Sequence, residues 1–282
     1  MYNLDEVQFN ILVASIIGDG EITKIYPNSR RINNSYREHY GTEQKDYRLW
    51  KQNFLPDLLY ITPRSNTLRS KSCKLFTNWY SLFYDLNGNK QIPHELVKQC
   101  TLQHFLAILY MDDGSLVLSK RINHQKKNIF LTPHIYLYLQ NYKPNDLDIL
   151  KEHIQKYFNI NLKKCKRNDG YGYILRTTSV KETFNFLEQI KEVTATCPSM
   201  YYKTNWDFRL KKEKDKYKQL YPNYNLLISS SNRSRTYSEE EIKLLIKLKK
   251  QNQTDQSIAE SIGRSYWSVV YKLSELRKNG EI

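Results

Sequence analysis

LVASIIGDG at residues 12–20 and LAILYMDDG at residues 106–114 are the two most informative segments of this chain. Each is apolar for about two helical turns and then ends in Asp-Gly. A helix that is apolar on all sides must be buried, and glycine often ends a helix because it tolerates the left-handed conformation. An aspartate beside the negative end of a helix is unfavourable by roughly 0.3–1 kcal/mol. The sequence therefore predicts two buried helices, each with a positive group beside its acidic tip.

Packing of these two helices side by side would bring their acidic tips together. The small residues Ala14, Ser15 and Gly18 allow the backbones to approach, which places Asp19 near Asp113. At ~4 Å and an effective dielectric near 20, two such charges repel by about 4 kcal/mol. A divalent cation would relieve this repulsion, and carboxylates that bind Mg²⁺ against phosphate oxygens are typical of metal-assisted phosphodiester cleavage. The alternative is a pair of ordinary core helices with glycine caps.

The segments around the two tips repeat in the same order. Asp113 follows Asp19 by 94 residues. Apolar periodicity predicts helices at 9–20, 46–55, 105–114, 147–157 and 180–190, and alternation predicts strands at 67–76 and 135–139. The predicted fold class is α+β, with one half duplicated.

The composition is that of a folded and strongly basic protein. A hydrophobic content of 40% in 282 residues excludes disorder for most of the chain, and the net charge of +15 predicts a polyanionic partner. Residues 236–282 hold eight Lys and Arg against seven Asp and Glu, so +14 lies in residues 1–235. The chain shows no apolar run of about 18 residues and no signal peptide, so we expect no membrane partner and a soluble, intracellular protein.

The four cysteines are isolated, and we expect reduced structural thiols at Cys73, Cys100, Cys165 and Cys197. Neither they nor the six histidines have the spacing of a zinc site. Any metal should therefore be a hard cation bound by carboxylates.

Both nine-residue segments fit the motif that names the LAGLIDADG homing endonucleases. The second lies in a longer match, NKQIP at residues 89–93 followed by LAILYMDDGS at 106–115, and CPSMYYK at 197–203 is similar to the family's closing segment. With two motif copies, the chain resembles the single-chain members of this family over about residues 8–208. The resemblance implies a domain at 1–210 with two pseudo-symmetric halves, about 1–100 and 101–210, each with a saddle-shaped antiparallel sheet. It also implies a monomeric homing enzyme of the intron or intein type, with an intron as the expected location of its gene, that cuts both strands of double-stranded DNA at a long site.

The resemblance assigns roles to particular residues. Asp19 and Asp113 would be the catalytic carboxylates that bind Mg²⁺, and Lys90 and Lys203 would be basic groups near the scissile phosphates. We leave Asp112 out of the catalytic set, as a neighbour that serves a hydrogen bond.

Polar residues on the strand after each motif helix order active-site water in this family, which nominates His39 and Gln140. Arg69 and Lys71 alternate on the strand predicted at 67–76, and with a slip Lys74 joins them, so this strand should contact DNA. For all of these residues the alternative is an ordinary polar surface.

The C-terminal part reads as a separate small helical module. Residues 211–235 are charged and then rich in Asn and Ser, which predicts a basic linker. In residues 236–282, Ser238 and Glu241 have capping-box spacing, and three short helices with a tight turn at 263–265 predict a helix-turn-helix that resembles Myb-like or resolvase-type modules. We expect Trp267 on the core side of the third helix and Tyr266, Ser268 and Lys272 against DNA. A dimerisation or protein-docking unit is the alternative.

Two other functions fit the same residues. A non-cleaving transcription regulator could combine a degenerate LAGLIDADG domain with a helix-turn-helix. A maturase that helps its host intron RNA to fold would also use a basic surface. Retention of both Asp-Gly tips and both lysines argues against the first alternative.

Overall fold

The computed structural model describes residues 3–229 and 236–281, which fall into two compact units, Met1–Ser230 and Ser231–Ile282. The first unit contains the same run of elements twice, helix–strand–strand–helix–strand–strand–helix. In the first half these are α1 Glu6–Ile17, β1 Glu21–Ile22, β2 Tyr36–His39, α2 Lys45–Phe54, β3 Leu59–Thr62, β4 Thr67–Ser70 and α3 Lys74–Phe83, followed by the short α4 His94–Val97. The predicted duplication is confirmed.

The second half begins with the second motif helix. Its elements are α5 Gln103–Asp113, β5 Gly114–Asn123, β6 Asn128–Leu137, α6 Pro144–Phe158, β7 Lys163–Lys166, β8 Tyr173–Arg176 and α7 Val180–Thr194. The chain continues through α8 Tyr201–Thr204, α9 Trp206–Leu220 and β9 Asn225–Ile228. Among the described residues, no helix is both long and apolar enough to cross a membrane.

The two sheets have the same topology. Their strand orders are β1-β2-β4-β3 and β5-β6-β8-β7, and all pairs in these two paths are antiparallel. Alternate residues of β2 and β6 are buried in the core, so the residues between them lie on the opposite face of each sheet. The predicted α+β class with two equivalent antiparallel sheets is confirmed.

The motif helices α1 and α5 pack against each other at the centre of the first unit. Residues 10–17 and 105–112 are all buried, as their apolar sequence predicts. The expected left-handed ends are wrong, because neither Gly20 nor Gly114 has a positive φ, and φ at Gly114 is −91°. Close approach requires the glycines instead: a Cβ on Gly114 would overlap Tyr110, and one on Gly20 would overlap Tyr36.

Two predicted strands differ from the structure at their ends. The strand expected at 67–76 stops at Ser70, and Lys74 is the first residue of α3, so Lys74 does not lie on the strand with Arg69. The strand expected at 135–139 is the last part of the ten-residue β6, which ends at Leu137.

The predicted linker at 211–235 is structured as far as Ile228. Tyr217 of α9 is buried against Ile129 and Leu131 of β6, and β9 pairs in parallel with residues 128–131 of that strand. This packing makes α9 and β9 part of the first unit, which extends about 20 residues beyond the expected boundary at 210. Residues 230–235 lie outside the described part of the chain.

The second unit has the three helices that the sequence predicts. They are α10 Glu239–Lys250, α11 Asp255–Ser261 and α12 Tyr266–Lys278, and the Ser238–Glu241 capping box is formed. Leu245, Ile258 and Leu273 belong to its core, but Trp267 does not. The indole of Trp267 is 64% exposed, because helical spacing from Val269 and Leu273 turns it away from the core.

Candidate active site

A lysine clamps the C-terminal end of each motif helix. Lys90 Nζ donates to the carbonyls of Gly18 and Gly20 at 2.9 and 2.7 Å, and Lys203 Nζ donates to those of Met111 and Asp112 at 2.8 and 3.3 Å. Burial lowers the pKa of both lysines, against the attraction of the aspartates around them. The structure thus has the positive group expected beside each acidic tip, one from each half of the first unit.

The carboxylate of Asp19 is partly exposed in an open cleft of about 620 Å³. Arg48 Nη2 donates to its Oδ2 at 2.7 Å, and within residues 3–229 and 236–281 no hydrogen bond reaches its Oδ1. Lys90, Arg37 and His39 line the same cleft. One oxygen of Asp19 is therefore held by the protein and the other is free for a ligand.

Asp113 has no comparable partner. No described residue donates a hydrogen bond to its carboxylate or pairs with it at ion-pair distance. Burial raises the pKa of Asp113 to about 7, helped by the negative charges of Asp112 and Asp19 and opposed by Lys90 and Lys203. A cation beside this carboxylate would remove the cost of ionising it.

Asp112 also borders the cleft, but its carboxylate is buried in a group of four charged residues that we call the buried ion cluster: Glu38, Arg48, Lys51 and Asp112. Lys51 Nζ lies 2.8 Å from both oxygens of Asp112 and 2.9 Å from Glu38 Oε1. Arg48 Nε lies 2.6 Å from Glu38 Oε1. All four side chains are at most 1% exposed. Asp112 thus serves hydrogen bonds, as expected.

Two tyrosines complete the cluster. Tyr47 donates its hydroxyl to Asp112 Oδ1 at 2.7 Å, and Tyr36 donates its hydroxyl to Glu38 Oε2. Burial raises the pKa of Glu38, while Lys51 opposes that shift and the charge of Asp112 adds to it. Every carboxylate oxygen of the cluster consequently has a donor, as a buried charge requires.

Asp19, Glu38 and Asp112 can each bring an oxygen within 4.8 Å of one another, a spacing that would suit a metal ion. However, Glu38 and Asp112 are already neutralised by buried cations, and a metal between them would have to displace Lys51 or Arg48. The free Oδ1 of Asp19 and the unpaired carboxylate of Asp113 are better hard-oxygen ligands. These two aspartates are the candidate metal ligands.

In-register side chains cross the open face of each sheet. In the first sheet Glu21 pairs with Arg37, Arg37 with Arg69, and Arg69 with Tyr60, one residue from each strand. The equivalent row of the second sheet is Ser115, Tyr136, Arg176 and Lys163. Arg69 was predicted at this face, whereas its neighbour Arg37 and its counterpart Arg176 were missed. Their signal is the strand register, which a single sequence does not contain.

The remaining predicted residues of the first unit do not contact the carboxylates of Asp19 or Asp113 through any hydrogen bond among the described residues. His39 is exposed beside Asp19 in the cleft, with Nδ1 3.4 Å from Thr67 Oγ1. Gln140 lies beyond the end of β6, and its buried Oε1 has no hydrogen-bond partner among the described residues. Lys71 is exposed just after β4. Their roles remain predictions.

On α12 of the second unit, Tyr266 is exposed, as expected for a DNA-contacting residue. Ser268 is half-buried and shares a hydrogen bond of 3.0 Å with the hydroxyl of Tyr237, and Lys272 pairs with Glu275 at 2.7 Å. The structure adds Trp267 to the exposed side chains of this helix.

Comparisons with known proteins match this chain to a family. A model of the LAGLIDADG DNA endonuclease family matches residues 9–184. The homing endonuclease I-WcaI bound to its DNA recognition sequence has a TM-score of 0.55 at 20% identity, covering 72% of this chain and 88% of that chain, a likeness of fold. I-DmoI in complex with DNA and Mn has a TM-score of 0.41 at 15% identity, covering 66% of this chain and 96% of that chain.

One curated protein shares a part of the sequence. Protein RecA of Mycobacterium shimoidei is 33% identical over 125 residues, which are 42% of this chain and 28% of that protein. The chain therefore spans less than a third of the length of this relative. The family match, by contrast, covers more than half of the chain and contains Asp19, Lys90 and Asp113. On that match, the chain belongs to the LAGLIDADG DNA endonuclease family.

Proposed function

We propose that this protein is a site-specific endonuclease that cuts both strands of double-stranded DNA, with one centre at Asp19 and one at Asp113. The observation that carries this proposal is the pair of lysine-clamped motif helices, which present two partly free carboxylates at the centre of the first unit. Because each half supplies one aspartate and one lysine, a single chain has the groups for two strand cuts.

The donor set fits a hard divalent cation, and we propose Mg²⁺. Carboxylate oxygens are the ligands that Mg²⁺ prefers, and a bound cation would stabilise the attacking and leaving oxygens of a phosphodiester. Lys90 and Lys203 are held by two carbonyls each, so their ammonium groups have fixed positions beside the helix tips. There they would stabilise the charge that develops on the phosphate.

The open faces of the two sheets are the proposed DNA-binding surface. Each carries one equivalent arginine, Arg69 or Arg176, in a row that crosses all four strands, and Arg37 joins the first row directly to the cleft at Asp19. Arginine and tyrosine on a sheet can read base edges and contact phosphates. Two such rows in one monomer would require a long target site.

We propose a DNA-contacting role for the second unit as well, through the exposed Tyr266 and Trp267 of α12. Residues 236–282 carry a net charge of only +1, so we expect few phosphate contacts from this unit. Removal of residues 230–282 should then weaken DNA binding while cleavage at saturating protein persists.

The decisive experiment uses substitutions at the helix tips. A target duplex is first selected by the unaltered chain with Mg²⁺ from a plasmid library of randomised sites. Asp19→Asn and Asp113→Asn should each abolish double-strand cleavage of that duplex, while DNA affinity in Ca²⁺ stays within about tenfold. Asp215→Asn, an exposed acid on α9, is the matched control. Full cutting by either tip variant would refute the assignment, and binding without cleavage by the unaltered chain would favour a regulator.

A further inference from the structure

The two halves can be compared position by position through their strand register. Glu21 pairs with Arg37 as Ser115 pairs with Tyr136, so β1 and β5 differ by 94 residues while β2 and β6 differ by 99. The following helices begin at Lys45 and Pro144, again 99 residues apart. Positions on β2 and α2 therefore have defined counterparts on β6 and α6.

These counterparts reveal a large chemical difference beneath the two acidic tips. The charged members of the buried ion cluster in the first half are Glu38, Arg48 and Lys51. Their counterparts in the second half are Leu137, Leu147 and Leu150, all fully buried. One tip therefore rests on fixed charges and the other on an apolar core.

The motif helices show the same difference at their interface. Asp112 and Gly18 occupy equivalent positions, 94 residues apart, and they face each other: a Cβ on Gly18 would lie 2.6 Å from Asp112 Oδ2. The absence of a side chain at Gly18 lets the carboxylate of Asp112 pass across to Lys51. The second half thus contributes one acid to the first half and receives none in return.

Arg48 connects this cluster to the proposed reaction centre. Its Nε lies 2.6 Å from Glu38 and its Nη2 donates to Asp19 Oδ2 at 2.7 Å, while the side chain is 1% exposed. A planar guanidinium can bridge two carboxylates in a fixed geometry, unlike a lysine. Its Nη1 is also buried and has no partner in the described part of the chain.

We propose that Arg48 is a positioning residue for the centre at Asp19 alone, so that the two strands of the target are cut by unequal centres. This inference rests on the proposed endonuclease function. By fixing Oδ2, Arg48 leaves Oδ1 of Asp19 as the oxygen available to a cation. Asp113 has Leu147 at the counterpart of Arg48, and in the part of the chain that the structure describes no side chain holds its carboxylate by a hydrogen bond or an ion pair.

The expected effect follows from the value of correct positioning. A displacement of about 1 Å in a reacting group can cost about 100-fold in rate. Loss of Arg48 should therefore slow cleavage of one strand by about 100-fold and leave the other within about threefold. Nicked DNA would accumulate, always with the same strand intact.

The test measures single-turnover cleavage of each strand of the selected duplex, labelled with a different fluorophore on each strand, in Mg²⁺. The variants are Arg48→Leu and the double variant Glu38→Leu/Arg48→Leu, which removes an acid together with the base and so keeps the cluster balanced. Normal cleavage of the second strand shows that each variant is folded. Leu147→Met is the control in the other half. Equal slowing of both strands, or of neither, would overturn the proposal.

A second readout does not require DNA cleavage. Fe²⁺ with ascorbate and peroxide cuts the protein backbone next to a bound divalent ion, so fragments should end near residue 19 and near residue 113. Arg48→Leu should deplete the fragments near 19 at least tenfold and leave those near 113 unchanged. Unchanged fragments near 19 refute the role of Arg48, whereas intact DNA with the unaltered chain refutes the endonuclease function instead.

Discussion

Replacement of Lys51 by methionine tests whether the buried ion cluster holds the first half together. Lys51 Nζ lies within 2.9 Å of three carboxylate oxygens, and its side chain is 1% exposed. In Lys51→Met the acids Glu38 and Asp112 would be left with one guanidinium between them. Removing one partner from a buried ion pair costs about 3–5 kcal/mol in the free energy of unfolding, because an uncompensated charge stays buried.

The size of the effect in temperature follows from the size of the unit. For domains of 150–250 residues, 1 kcal/mol shifts Tm by roughly 2–4 °C, so Lys51→Met should lower Tm of the first unit by about 6–20 °C. Differential scanning calorimetry at pH 7.5 in EDTA measures this directly. Leu150→Met is the matched control, because Leu150 is the counterpart of Lys51 and a swap of similar volume costs less than about 1.5 kcal/mol. Equal Tm losses in the two variants would show that Lys51 contributes through packing and not through its charge.

Three further predictions concern the helix tips and the domain boundary. In EDTA, Asp113→Asn should raise the free energy of unfolding by up to ~4 kcal/mol at pH 8, because the pKa of Asp113 is about 7 in the folded chain against an ordinary 3.8. This gain in stability should fade as the pH falls towards 4. A gain that does not depend on pH would contradict the prediction. Gly18→Ala and Asp112→Ala should be coupled by about 0.5–3 kcal/mol in urea unfolding, and strict additivity would show that the two positions do not touch. A chain that ends after residue 229 should keep the Tm of the first unit. A chain that ends after residue 210 should have a Tm several degrees lower, because Ile129 and Leu131 become exposed. Equal Tm values would contradict the packing of α9 on β6.

The helix tips could be predicted from the sequence because their signals are local. Two apolar runs that each end in Asp-Gly define both helices and both acids without any knowledge of the fold. The need for a positive group beside each acid also follows from the helix dipole. Lys90 and Lys203 could be named only through the family resemblance, because they reach the tips from distant segments.

The buried ion cluster could not be predicted in this way. Within the helix expected at 46–55, the spacing of Tyr47, Trp50 and Phe54 predicts an apolar face. The structure nevertheless buries Arg48 and Lys51 more deeply than Trp50. A charged residue is normally exposed, and only its partners can reverse that expectation. Those partners come from β2 and from the other half of the unit, so no local pattern reveals them.

The basic residues 211–218, in the middle of α9, were predicted to belong to a linker for a related reason. One apolar residue per two turns is enough to dock a helix when a groove is available, and Tyr217 supplies it here. The parallel pairing of β9 with β6 joins residues about 97 positions apart, which periodicity cannot detect. Long-range pairing, rather than local propensity, decides the boundary of the first unit.

The contact between Gly18 and Asp112 explains why this cluster needs two halves in one chain. In a symmetric pair of identical halves, the two positions would carry the same residue. Two glycines would leave Lys51 with Glu38 alone, and two aspartates would collide where the helices touch. Two halves with different sequences can place a glycine against an aspartate at the helix interface. They can also carry leucines in one half at the positions that hold the charged residues of the buried ion cluster in the other. The inequality of the two centres is therefore built into the interface of the motif helices, and any change that makes these positions alike should disrupt the centre at Asp19 first.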